Sequence, residues 1–377
     1  MNDPVERKCD CTDAACNGAD GGSRQVSTGE ERLSAPWISG WIASPAGRIP
    51  QVSDHLTLRD VFGSWKARWS VSRMRYSVPP GLYAVGNPDA DSPVLVSANY
   101  KMSFDVLRRE LSGQDLWILV LDTKGINVWC SAGKGTFGAE ELVGRIAQTK
   151  LPDVVKHRTL ILPQLSATGV AAHEVQKLSG FKVVYGPIRA SDIPAFLASG
   201  LKASAEMRRV RFGLLDRLVL VPIELVGVIK PMLLLIAVLF GVNLAVAGSA
   251  PSVGLLHKTL IDFVPFAGAV LTGIVAVPVL LPYLPGRAFA WKGWLMGLAW
   301  TAAYAWLASS VHRWGLTLAY ILILPAIASF LAMNFTGSSP HTSHSGVARE
   351  VKCSLPLIKV SAGLGVLLWA VRLFVSF

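Results

Sequence analysis

One cysteine sits in an unusual setting, the stretch Asp122-Thr123-Lys124-Gly125-Ile126-Asn127-Val128-Trp129-Cys130-Ser131-Ala132-Gly133-Lys134-Gly135-Thr136-Phe137-Gly138. A continuous apolar run, Leu116 to Leu121, precedes it, and a helical pattern from Ala139 to Thr149 follows. Cys130 is thus expected at the carboxyl end of a strand, just before a glycine-rich turn into a helix. Three chemistries compete for it. Gly133, Gly135 and Gly138 spell GxGxxG, a dinucleotide fingerprint when it joins a strand to a helix. Against that, the next strand ends in Leu162-Pro163, without the acid that would bind a ribose, and the connection is too long for a tight first turn. A phosphate-binding GxxxxGK(S/T) loop fails, because Val128 stands where glycine is needed. In the second reading Cys130 is a small buried filler and Trp129 a core aromatic. The polar setting of Asn127, Lys134 and the glycines weighs against it. In the third, Cys130 is a metal-ligating thiolate. One cysteine cannot hold zinc alone. It can be a single axial ligand to a metal whose other positions a macrocycle fills. Glycines let the backbone approach a large flat cofactor, and a helix N-terminus with Lys134 nearby favours the thiolate.

Several elements must position this segment. Val94–Ala98, Leu116–Leu121, Thr159–Leu162 and Lys182–Tyr185 read as strands. Phe104–Leu111, Ala139–Thr149, Val170–Leu178 and Ser191–Leu197 read as helices, with Glu140 and Glu141 in a first turn, where the helix dipole favours them, and Ser191 as an N-cap. Continuously apolar strands alternating with amphipathic helices indicate an α/β fold with a mainly parallel sheet, whose ligands bind at the carboxyl ends of strands. Residues 35–93, with Trp37, Trp41, Trp65 and Trp69 among Pro and Gly, are expected to be an irregular lead-in whose aromatics pack on the following domain.

Of 377 residues, 51% are hydrophobic and only 16% charged. Residues 229–377 hold just Asp262 and Glu350 as acids, so the chain divides into a soluble half and a membrane half. This excludes a purely soluble enzyme and a disordered chain. Five cysteines, three of them in a polar tail, do not make a disulfide framework. Five transmembrane spans are expected, at about 230–247, 263–284, 290–311, 315–335 and 355–376, each near the ~20 residues a crossing helix needs. The expected domains are a tail (1–34), a cytoplasmic α/β domain (35–205), an interfacial linker helix (206–228) and a transmembrane domain (229–377). The net charge of +11 is not read as a nucleic-acid signal, because its densest run, Arg208, Arg209, Arg211 and Arg217, flanks the first apolar stretch. No basic n-region followed by an apolar h-region opens the chain, so its N-terminus is expected in the cytoplasm, with the protein in the inner membrane. The polar Asn334–Ser354 loop would face the same compartment as the α/β domain.

The segment NVWCSAGKGTFG (127–138) resembles the signature of the corrinoid mercury-methylating membrane proteins, Asn-(Val/Ile)-Trp-Cys-Ala-(Ala/Gly)-Gly-Lys. Their soluble part is related to the corrinoid-binding domain of the corrinoid iron–sulfur protein of the acetyl-CoA pathway. The resemblance extends over Ala98–Leu111, Leu121–Cys130, Leu160–Val170, Val183–Gly200, Met207–Phe212 and Met333–Ser339. It implies a Rossmann-like corrinoid-binding domain followed by an all-α transmembrane domain of about five helices. Cys130 would be the lower axial ligand of the corrinoid cobalt. Asn127, Val128, Trp129, Ser131, Ala132, Gly133 and Lys134, with Gly135, Thr136 and Phe137, would line the cofactor site. The implied activity is a methyltransferase that passes a methyl group from Cys-ligated cobalt to inorganic Hg(II), because a thiolate donates strongly to the metal and weakens the bond opposite it. Ser131 departs from the usual alanine, and its hydroxyl could donate a weak hydrogen bond to the Cys130 sulfur and draw electron density from it.

Further expectations follow from the resemblance. The cobalt must be re-reduced, which implies a ferredoxin-like partner with two 4Fe–4S clusters. The methyl donor would be a methylated folate such as methyltetrahydrofolate, delivered by another methyltransferase. Two alternatives stand beside this function: a corrinoid methyl carrier in one-carbon metabolism without significant mercury activity, and a membrane transporter with a nucleotide-binding regulatory domain. Cys9, Cys11 and Cys16 read as incidental tail thiols rather than a soft-metal site, and His341 and His344 as a solvated loop rather than metal ligands. Cys353 reads as a small interfacial residue.

Overall fold

The computed structural model describes residues 35–248, 253–308, 314–338 and 344–372. Cys9, Cys11, Cys16, His341 and the His344 side chain lie outside the described residues. Along the α/β half come β1 (Ile38–Ser44), β2 (Gly47–Val52), α1 (Leu58–Arg68), β3 (Gly81–Val85), β4 (Val94–Ala98), α2 (Lys101–Glu110), β5 (Leu116–Leu121), α3 (Val128–Gly133), α4 (Ala139–Gln148), α5 (Leu151–Val154), β6 (Thr159–Leu162), α6 (Ala172–Ser179), β7 (Lys182–Tyr185) and α7 (Ile193–Ala198). The helical half contains α8 (Leu214–Leu218), α9 (Val221–Ala247), α10 (Val253–Leu271), α11 (Val277–Leu280), α12 (Phe289–Leu307), α13 (Trp314–Met333) and α14 (His344–Val371).

The strands form one seven-stranded sheet in the order β1-β2-β3-β5-β4-β6-β7. The pairs β5–β4, β4–β6 and β6–β7 are parallel, as is β2–β3, while β1–β2 and β3–β5 are antiparallel. Every residue of β4 and β5 is buried, because helices cover both faces. Alternation along β5 divides the two cores. Trp117, Leu119 and Leu121 join Leu142, Ile146 and Val175 from α4 and α6 on one face. Leu116, Ile118 and Val120 join Phe104, Leu107 and Phe196 from α2 and α7 on the other. The mixed α/β sheet with mostly parallel strands agrees with the sequence reading.

Residues 35–93 differ from the expected irregular lead-in. They supply the β1–β2 hairpin, α1 and β3, and so extend the sheet by three strands. Of the four tryptophans there, Trp37 packs on Tyr83 and Phe104, with ring centroids 5.5 and 5.2 Å away. Trp41 and Trp65 stay exposed. Ser191 is not an N-cap; it lies in a 3-10 turn, Ala190–Asp192, that leads into α7.

Among the described residues, four helical stretches, 214–247, 253–280, 315–337 and 345–371, are long and apolar enough to cross a membrane. The expected count of five is reduced by α12, whose Trp291, Trp294, Trp300, Trp306, Tyr304 and Lys292 dilute its apolarity. It still packs in the bundle: Ser329 Oγ donates to the Ala290 carbonyl (2.8 Å) and Lys292 Nζ to the Leu281 carbonyl (3.0 Å). The separate linker helix expected at 206–228 is only the short α8, because α9 begins at Val221. Arg217 of α8 fastens that helix to the bundle by donating from Nη1 to the Pro278 carbonyl (2.6 Å). Part of the expected Asn334–Ser354 loop is helical: Asn334–Ser338 forms a 3-10 turn and α14 starts at His344. Phe335 packs in one cluster with Val221, Phe212 and Leu218, so this turn meets the start of α9.

Candidate functional site

From β4 the chain crosses through α2 to β5 on one side, and then returns to β6 on the other side of β4. At such a reversal the loops diverge and leave a crevice outside the carboxyl ends of the strands. A cavity of about 530 Å³ opens there. Leu95, Val96 and Ser97 of β4, with Ile161 and Leu162 of β6, reach it from the sheet. Asn127, Val128 and Trp129 contribute from the cysteine segment, and Val219, Leu220 and Ile223 from the start of the first apolar helix. Arg68, Arg73 and Tyr100 add the polar part of the lining, and the Arg73 guanidinium carbon lies 5.6 Å from the centroid of the Tyr100 ring. Burial pushes the Tyr100 hydroxyl up from its ordinary value against the opposing charges of Arg73 and Arg68, so it stays a neutral donor.

The loop from β5 to α3 is built on Asn99. Its side-chain oxygen accepts from the backbone N–H groups of Thr123 (3.1 Å) and Gly125 (2.9 Å). The Thr123 hydroxyl donates to the Ile126 carbonyl (2.6 Å). Glu141 of α4 accepts from the Asp122 N–H (2.8 Å) and is held by Arg145 (2.7 Å). Burial pushes the Asp122 carboxyl up, but the hydrogen bonds and charge of Lys124, 2.6 Å away, outweigh it and leave the carboxyl below its ordinary value.

Asn127 then caps α3, its side-chain oxygen accepting from the Cys130 N–H at 2.9 Å. Cys130 is exposed as a free thiol at the third position of α3, one residue beyond those that line the cavity. The expected site residues separate by environment. Asn127, Val128 and Trp129 line the cavity, while Gly133, Lys134 and Gly135 are exposed and Thr136 is half-buried. Ser131, Ala132 and Phe137 are buried, and Ala132 and Phe137 belong to the core under α4. Phe137 therefore anchors the segment rather than presenting its ring at the surface. The Ser131 hydroxyl donates back to the Asn127 carbonyl (2.6 Å), not to the Cys130 sulfur as expected.

The glycines of the GxGxxG pattern end one helix and start another. Gly133 is the last residue of α3, Gly135 takes φ +80° just after it, and Gly138 is the N-cap of α4. A dinucleotide fingerprint needs a strand running directly into its glycine turn, so that reading loses its geometry. The position of α3 is fixed from outside by Gly169. A Cβ built there would lie 2.5 Å from the Phe137 carbonyl oxygen and 2.8 Å from both Cα and O of Ala132. The Tyr185 hydroxyl holds the same loop by donating to the Val170 carbonyl (2.5 Å). Asn99, Tyr100, Arg68, Arg73 and Gly169 were not singled out from sequence. Two signals point toward them: Asn99 lies just past a strand's carboxyl end, and Asn99, Tyr100 and Gly169 fall inside the stretches Ala98–Leu111 and Leu160–Val170 that carry the resemblance.

Among the described residues no three His, Cys, Asp or Glu side chains gather as a metal-ligand group. A metal at Cys130 would therefore have to bring most of its own ligands.

Residues 69–197 match the family described as the CO dehydrogenase/acetyl-CoA synthase delta subunit. The match takes in β3 to α7, with α3 and the strands beneath the cavity, and stops before the apolar helices. The chain is 36% identical over 122 residues to the gamma subunit of the acetyl-CoA decarbonylase/synthase complex of Methanopyrus kandleri, covering 32% of this chain and 26% of that one. It is 33% identical over 127 residues to the corresponding subunits of Archaeoglobus fulgidus (33% of this chain, 27% of that one) and Methanocaldococcus jannaschii (33% and 26%). The chain thus spans about a quarter of the length of the curated relatives it matches.

Proposed function

We propose that this chain is a membrane-anchored corrinoid protein that carries a methyl group for transfer, with the cofactor held beside Cys130. The observation that carries this reading is a solitary exposed thiol next to the cavity at the sheet's reversal point, inside the segment that matches the delta-subunit family. The donor set fits the group. A corrinoid brings most of its metal's ligands with it, so a single protein donor would suffice. Cys130 would be that ligand. When bound, the corrinoid supplies a cobalt centre able to take up and release a methyl group.

The chain's own residues do the rest. Asn127 and the Asn99-built loop fix the backbone on which Cys130 sits. Val128, Trp129 and the apolar ends of β4 and β6 would give a large ring an apolar surface. Asn127 and Tyr100 offer polar groups, and Arg68 and Arg73 offer cationic ones, for its periphery. The first reading of the acceptor follows the named relatives: a protein partner in one-carbon metabolism, to which the methyl group is handed on.

A second reading is favoured by a specific feature. The helices apolar enough to cross a membrane lie outside the segment shared with the delta-subunit family, and the NVWC segment joined to such helices resembles the mercury-methylating membrane proteins. In that reading the acceptor is thiol-bound Hg(II), and a ferredoxin-like protein and a methylated folate serve as electron and methyl sources. The α/β domain would then lie on the cytoplasmic face of the inner membrane.

Full-length protein purified in detergent, loaded with a methylated cobalamin and passed through a desalting column, tests the shared claim. Retained pigment is expected, and a colourless protein would reject it. Adding Hg(II) with excess thiol then separates the acceptors: methylmercury favours the second reading, and retention of the methyl group favours the first.

A further inference from the structure

Helix α1 is inside out for a helix on a soluble domain, where the apolar stripe ordinarily turns to the core. Leu58, Val61, Phe62 and Trp65 fall at i, i+3, i+4 and i+7, and all four are exposed, Leu58 at 88%. The face turned to the domain buries only Asp60 and the small Ala67. Asp60, 6% exposed, accepts from Lys101 Nζ (2.7 Å) and from Nη2 of the fully buried Arg108 (2.9 Å). The helix is therefore fastened by buried charge, with its aromatic side outward. Phe62 and Trp65 stack with centroids 5.7 Å apart.

The flanks of this stripe are basic. Arg59, Lys66 and Arg68 lie along α1, whose one acid, Asp60, is buried, and the Lys66 ammonium is 4.9 Å from the centroid of the Phe62 ring. Aromatic and aliphatic side chains on one face, with Lys and Arg beside them, suit the boundary between lipid headgroups and acyl chains. The placement in the fold agrees. Arg68, at the end of α1, lines the same cavity as Val219, Leu220 and Ile223, where the chain runs into the first apolar helix. That end of α1 lies within one cavity's width of the level at which α9 begins.

We infer that α1 lies in the plane of the membrane, with Leu58, Val61, Phe62 and Trp65 set into an anionic leaflet and the basic flank on its phosphates. It forms a second attachment that holds the cavity mouth against the bilayer. The inference rests on α9 and its neighbours spanning that bilayer, and it is independent of the cofactor.

The test places p-benzoylphenylalanine at Phe62, or at the exposed Leu178 of α6 as control, in the full-length chain. Each protein is inserted in nanodiscs of phosphatidylglycerol and phosphatidylethanolamine, irradiated and digested. A lipid-mass adduct on the peptide that carries position 62, several-fold above the control, is expected. A yield no greater than at Leu178, or adducts to protein in place of lipid, would overturn the inference. A second measurement leaves Phe62 intact: Trp65→Phe should remove part of the fluorescence quenching by brominated lipids, and unchanged quenching would likewise overturn it. A chain that does not enter the discs at all would refute the membrane reading of α9 together with this one.

Discussion

Gly169→Ala tests the placement of α3 without touching any residue that meets a ligand. The added methyl carbon would sit 2.5 Å from one carbonyl oxygen, of Phe137, and 2.8 Å from two backbone atoms of Ala132. Unstrained carbon contacts need about 3.5–4.0 Å. The loop and α3 must therefore separate by about 1 Å, and no flexible side chain is present to yield instead. Overpacking of this kind costs about 1–3 kcal/mol. For a domain of this size each kcal/mol lowers the melting temperature by about 2–4 °C. A displacement of α3 also moves Asn127 and Cys130, so corrinoid affinity should fall about tenfold, the equivalent of 1.4 kcal/mol. Thermal unfolding followed by circular dichroism, and corrinoid titration followed by visible absorbance, read the two effects on the full-length protein. Wild-type melting together with wild-type affinity would refute the claim that Gly169 sets the position of α3.

Cys130→Ala should leave both halves folded, because the side chain is exposed, while methyl transfer is lost; undiminished transfer would contradict the ligand role. Asp60→Asn leaves the buried Arg108 and Lys101 facing Asp105 alone and should cost about 3 kcal/mol in denaturant unfolding. Burial pushes the Asp60 carboxyl up, but hydrogen bonds from Lys101 and Thr57 outweigh it and hold it well below the carboxylate range. A depressed folded-state value contributes stability that is complete above the unfolded value of about 3.9 and is lost as pH falls further toward the folded value. Acid unfolding should thus steepen below about pH 4 in the wild type, and Asp60→Asn should flatten that limb. Ser131→Ala removes a hydrogen bond to the Asn127 carbonyl and should cost about 1 kcal/mol of stability, with the rate of methyl transfer little changed. A large rate change would restore the expected contact with the Cys130 sulfur.

The central strands were legible because each is continuously apolar. Val94–Ala98 and Leu116–Leu121 are covered on both faces, and a pattern with no polar alternation admits no other place for them. β1 was not legible. Its Ile-Ser-Gly-Trp-Ile-Ala-Ser sequence is half-exposed along its length, and its Gly and Ser suggest a loop until Gly40, Trp41 and Ile42 pair with Gln51, Pro50 and Ile49. Trp65 shows the opposite failure. It was expected to pack on the following domain, but the direction it faces is set by Asp60 meeting Lys101 and Arg108, residues more than forty positions beyond Asp60. Cys130 stood out by residue type and by its glycine-rich surroundings. The glycine that locates it, Gly169, carries no local signal, since its need arises from a contact made across the fold. Arg68 and Arg73 reach the cavity for the same reason. Hydropathy placed the apolar helices, but α12, whose Trp291, Trp294 and Trp306 are exposed and whose Lys292 is buried, is not among the four described helices apolar enough to cross a membrane.

The most direct test of the central claim is the visible absorbance spectrum of the full-length protein saturated with cobalamin, wild type beside Cys130→Ala. The wild type is expected to show a bound corrinoid whose bands move when the sulfur is removed. Superimposable spectra from the two proteins, or no pigment bound by the wild type, would contradict a cobalt ligated by Cys130.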